Sequence, residues 1–118
     1  MKANIVENIL KEWYDKYGED NNRFNNVALN DIAINCASLT EAWFSRVNPE
    51  KVSFELNFYD KNADLESSLH GVTADNLPST LFETLVSKSD QYSKVSLCSY
   101  SFDKGEKLTN VIGELDIS

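Results

Sequence analysis

Residues 51–71 read KVSFELNFYDKNADLESSLHG. Val52, Phe54, Leu56 and Phe58 alternate with Ser53, Glu55, Asn57 and Tyr59. That period of two belongs to a strand with one face buried and the other polar. The alternation breaks at DKNAD, a cluster of turn-forming residues, and resumes more weakly in ADLESSLHGV with Leu65 and Leu69. Strand, short turn and strand make a hairpin, so the sheet must contain antiparallel pairs.

The turn has a competing reading. Asp60, Asn62 and Asp64 stand at alternate positions, as ligands do at the start of a calcium loop. Counted from Asp60, the place that needs glycine for the sharp bend holds Leu65, and the place that needs a bidentate glutamate holds Gly71. The incoming segment is a strand, whereas a calcium-binding helix–loop–helix enters from a helix. The stretch is therefore expected to be a hairpin turn held by Asp and Asn side chains, with no metal site.

Around this hairpin the patterns change period. Val6, Ile9, Leu10, Trp13, Tyr14 and Tyr17 fall at helical spacing, and Gly18 follows as a stop, which predicts an amphipathic helix over 4–17. The Asn-rich stretch 18–30 reads as a loop, with a short extended piece near Phe24 to Leu29. Ile32, Cys36, Leu39, Trp43 and Val47 then predict a helix over 31–47, capped by Asn30 or Asp31 and stopped at Asn48-Pro49. A strand over 27–36 competes, because Ile32 and Ile34 alternate. Leu81, Phe82, Leu85 and Val86, with Pro78 in the first turn, predict a helix over 77–88.

Two strands close the chain, separated by the turn DKGEK. In KVSLCSYSF the apolar residues switch phase from Val95 and Leu97 to Cys98, Tyr100 and Phe102, which implies a bulge or burial on both faces. In the last strand Val111, Leu115 and Ile117 are expected on one face. The expected fold is one α+β domain over 1–118: an antiparallel sheet of about four strands, built from two hairpins and packed against two or three helices.

Function has fewer handles. The 118 residues are 42% hydrophobic, enough for a core, and carry a net charge of −8. Such a charge repels phosphate backbones and favours a basic protein partner over nucleic acid. Half of it lies in residues 55–75, where Glu55, Asp60, Asp64, Glu66 and Asp75 face Lys61 alone. With Tyr59 among them, Glu55, Asp60, Asp64 and Glu66 form the expected partner-binding surface. Otherwise the charge serves to keep a sheet edge from aggregating.

Catalytic signals are missing from the sequence. The one histidine, His70, stands in a serine-rich strand and reads as a surface residue. There is no nucleophile elbow, phosphate loop, dinucleotide fingerprint or Cys/His zinc spacing, and no cofactor is expected. Cys36 and Cys98 read as buried free thiols, and Trp13 and Trp43 as core residues. The first 18 residues hold charges where a signal peptide needs an apolar run, and no stretch is long enough to span a membrane. A cytoplasmic location is therefore expected.

In size, acidity, asparagine content and α+β make-up the whole chain resembles bacterial toxin-immunity proteins. The resemblance implies a protein that neutralises a toxin domain, often a basic nuclease. Phage-encoded inhibitors and small secretion chaperones share these gross features. The chaperones usually end in a helix, and the segment NVIGELDIS here reads as a strand. The competing class is an enzyme or small-ligand binder with a pocket lined by Tyr14, Tyr17, Trp43 or Tyr100 and a carboxylate from Glu55 or Glu66.

Overall fold

The computed structural model describes residues 2–18, 24–48 and 50–117. Three helices, α1 (Lys2–Tyr17), α2 (Asn26–Phe44) and α3 (Leu77–Ser87), pack on a four-stranded antiparallel sheet. The strands are β1 (Ser53–Asp60), β2 (Leu65–His70), β3 (Tyr92–Asp103) and β4 (Glu106–Asp116), in the spatial order β2-β1-β3-β4. Two hairpins thus lie side by side, with β1 and β3 central. Among the described residues, no helix is long and apolar enough to cross a membrane.

The second helix starts five residues earlier than its sequence pattern implies. Asn25 is the cap: its side-chain carbonyl accepts the Ala28 amide at 2.8 Å. The asparagines that read as loop thus include the helix start, and Val27 to Leu29 are helical where an extended piece was expected. Residues 24–36 contain no strand. The buried stripe of α2 is Leu29, Ala33, Cys36, Ala37, Thr40 and Trp43. Ile32 and Leu39 flank it, partly buried against the core. The helix ends at Phe44, before Asn48, where Ser45 donates its amide to Glu41. The loop expected over 19–23, and Pro49, lie outside the described residues.

The core lies between the helices and one sheet face. Phe54, Leu56 and Phe58 of β1 sit opposite Ser99, Leu97 and Val95 of β3. These side chains meet Val6, Ile9 and Trp13 of α1, the α2 stripe, and Leu81, Phe82 and Val86 of α3 in one cluster. Trp43 lies against Gly113 of β4, where any Cβ would overlap its indole ring. Both tryptophans are buried.

The phase switch in β3 resolves into burial on both faces. Pairing with β1 is regular from Ser53–Tyr100 to Tyr59–Lys94, so Cys98, Tyr100 and Phe102 point away from the helices. The bulge lies in β4. Leu97 pairs with Gly113 and Cys98 with Val111, leaving Ile112 as the extra residue. Val111 and Leu115 therefore lie on opposite faces, not the same one. A bulge in β1–β2, with Glu66 extra, likewise puts Leu65 and Leu69 on opposite faces.

Candidate functional site

The helices leave the second sheet face uncovered, and this is where the chemistry-bearing side chains gather. Strand register places Glu55 beside His70 on β2 and Cys98 on β3, with Val111 beyond. Asn57 sits between Ser68 and Ser96, and Tyr59 between Leu65 and Lys94. The middle of this open face is nearly dry without any helix over it. Asn57, Ser96 and Cys98 are all buried there.

Glu55 was expected at the surface. Its side chain is only 7% exposed. Lys107 reaches from β4 across β3, passes 4.8 Å from the centre of the Tyr100 ring, and sets its ammonium 2.5 Å from Glu55 Oε1. His70 Nε2 is 3.9 Å from the same oxygen. Burial pushes the carboxyl upward, but Lys107, Asn57 and His70 together outweigh it and hold Glu55 below its ordinary value.

The acidic turn has a local structural role as well. Asp60 Oδ1 accepts the amides of Asn62 and Asp64 at 2.9 and 3.0 Å. The Ala63 amide donates to the Asp60 carbonyl, and the Asp60 amide to that of Asp64. This is a three-residue hairpin loop held by an Asx turn, with Ala63 left-handed at φ 66°. Asp60 is thus committed to shaping the bend, which accounts for the first of the three alternate residues, Asp60, Asn62 and Asp64, that resembled a calcium loop. Asp64 and Glu66 project into solvent, and Tyr59 is half-buried with Lys94 over its ring at 4.7 Å. Among the described residues, no three His, Cys, Asp or Glu side chains converge as a metal site would need.

The aromatic residues proposed for a ligand pocket do not converge. Tyr14 donates its hydroxyl to Asn26, and Tyr17 donates to Glu83, both on the helical side. Trp43 is sealed under β4, and Tyr100 lies on the opposite sheet face. A cleft of about 220 Å³ between α1 and α3 does include Tyr17, with Trp13 and Phe82, but the Lys16–Glu83 ion pair at 3.0 Å lies among its lining residues.

Two features escaped the sequence. One is the ladder His70–Tyr100–Phe102, with ring centres 5.8 and 6.1 Å apart and edge-to-face. Phe102 is 68% exposed and Val111 60%. The phase switch in β3 was the available signal, since apolar residues on both phases mean that the second face is also used. The other is the Lys107–Glu55 pair, which depends on register across three strands. Comparison with family models, curated proteins and solved structures finds no match to this chain.

Proposed function

We propose that this chain is a cytoplasmic binding protein that neutralises a basic protein partner through the open sheet face, as a toxin-immunity protein does. The observation that carries this reading is the uncovered face itself. It presents exposed aromatic and aliphatic side chains, Phe102 near the end of β3, Val111 on edge strand β4 and Leu65 on edge strand β2, where Asp64 and Glu66 stand beside Tyr59. Exposed apolar side chains set beside charged ones are what protein interfaces draw on. The net charge of −8 selects a cationic partner and speeds encounter with it. A nuclease domain suits this surface, because its phosphate-binding cleft must be positive.

The test is to produce the product of the adjacent open reading frame alone and together with this chain, scoring host growth, and then to titrate the two purified proteins. Rescue of growth with a stoichiometric complex supports the reading. Growth arrest that this chain leaves unchanged, with no complex formed, overturns it. In the complex, replacing Asp60, Asp64 and Glu66 by Asn, Asn and Gln should slow association about tenfold at low salt and less at high salt. Tyr59→Ala should instead speed dissociation.

A further inference from the structure

One arrangement on the open face recurs. A lysine ammonium lies over a tyrosine ring and against a glutamate: Lys107 with Tyr100 and Glu55, and Lys94 with Tyr59 and Glu114 at 3.5 Å. The two trios differ in burial. Glu114 is half-exposed, whereas Glu55 is withdrawn from water on the dry middle of the face. A carboxylate so placed requires a cation, and here the cation comes from the far edge strand on a flexible stem. Lys107 itself remains 40% exposed.

We infer that Tyr100 and Glu55 form a cation site that Lys107 fills in the free protein and that takes an arginine side chain of the basic partner. The inference rests on the reading that the partner is basic. The exchange is cation for cation, so Glu55 is never left unpaired. Lys107 returns to water, where a compact ammonium is well hydrated. The incoming guanidinium is planar and less strongly hydrated. It can stack on Tyr100 and donate two parallel N–H bonds to the carboxylate, which an ammonium cannot do. Phe102 and Val111 beside the site supply an apolar margin that excludes water around the arginine. A second copy of this chain is disfavoured as occupant, since each copy carries a charge of −8.

The probe is a nine-residue arginine peptide, with a lysine peptide of equal length as control. Binding is measured by fluorescence anisotropy and mapped by amide chemical shifts of the whole chain. The arginine peptide should bind the more tightly and shift Glu55, Cys98, Tyr100 and Phe102. Lys107→Met, which empties the site, should tighten arginine-peptide binding about threefold or more. Glu55→Gln and Tyr100→Leu should each weaken it about fivefold to tenfold. A gain larger for the arginine peptide than for the lysine peptide cannot come from the lost charge alone, which favours both, so Lys107→Met keeps the test valid if either loss variant fails to fold. Unchanged or weaker binding by Lys107→Met overturns the inference, and so do shifts confined to residues 60–66. Loss of binding on neutralising Asp60, Asp64 and Glu66 while Glu55→Gln binds normally also overturns it, but leaves the acidic-surface reading standing. The reverse pattern supports the cation site and removes the turn from the interface.

Discussion

Glu55 ties stability to pH in a way that can be isolated. Lys107, Asn57 and His70 favour its ionised form enough to overcome burial, so its folded pKa lies below the ordinary glutamate value of 4.5. A depressed carboxylate contributes stability that is fully present above the unfolded pKa and is lost as pH falls through the folded one. Glutamine keeps the shape and removes the charge. Glu55→Gln should therefore cost about 1 kcal/mol at pH 7, the value of a charge-assisted contact partly open to solvent. The gap between wild type and variant should narrow as pH falls below the ordinary glutamate value and close once Glu55 is protonated in the folded protein. Glu83, also depressed by Lys16 and Tyr17 against its own burial, titrates in both proteins and cancels from the difference. Urea unfolding at a series of pH values measures the gap. A gap that keeps widening below the ordinary glutamate value would contradict the assignment. The sequence placed Glu55 on the polar phase of β1, which is correct. Its burial was not legible, because that depends on a lysine 52 positions away.

At the scale of elements, the two hairpins show what local sequence carries. The β3–β4 turn has Lys104 and Gly105 both at positive φ, 52° and 84°, the mirror-image turn that matches strand twist. The β1–β2 loop needs one left-handed residue and places Ala63 there at φ 66°. An alanine in that region costs about 1 kcal/mol from contact between Cβ and the following carbonyl. Glycine relieves that contact but loses more freedom on folding. The balance predicts that Ala63→Gly stabilises by about 0.5 kcal/mol, read as a higher urea midpoint with unchanged slope. A lower midpoint would show that the Asx turn alone fixes the bend. Turns and strand phases were legible because they are decided within a few residues. The bulge at Glu66 was not, and the one opposite Leu97 and Cys98 was signalled by the phase switch of β3 but not its place at Ile112, since each is defined by the partner strand; they put Leu65 and Val111 on the open face. The start of α2 was misread for a related reason. Asn25 is as good a cap as it is a turn residue, and only the packing of Leu29 chooses between the two.

For the whole molecule, Cys36 and Cys98 report on the two sides of the sheet. Both are free and buried. Cys36 lies in the α2 stripe within the core, and burial pushes its thiol up to about 12. Cys98 lies beyond the sheet on the open face, paired in register with Glu55 and Val111 and receiving a hydrogen bond from Asn57 at 3.6 Å. Its thiol is raised by burial and by the nearby Glu55 charge. Thiolate is the reactive form, so both should label slowly with a thiol reagent near pH 8. Exposing Cys36 requires the helices to leave the sheet, which is global unfolding. Exposing Cys98 requires only that side chains on the open face move aside, a local opening of lower free energy. Labelling of Cys36 should thus rise steeply with urea, with the slope of the global transition, while Cys98 labelling stays nearly flat at low urea. Lys107→Ala should speed Cys98 labelling and leave Cys36 unchanged beyond any shift in global stability. The single variants Cys36→Ser and Cys98→Ser assign each rate. If both thiols follow the global slope, the open face is as firmly closed as the core, and no side chain on it, Lys107 included, can be moved aside by an incoming partner.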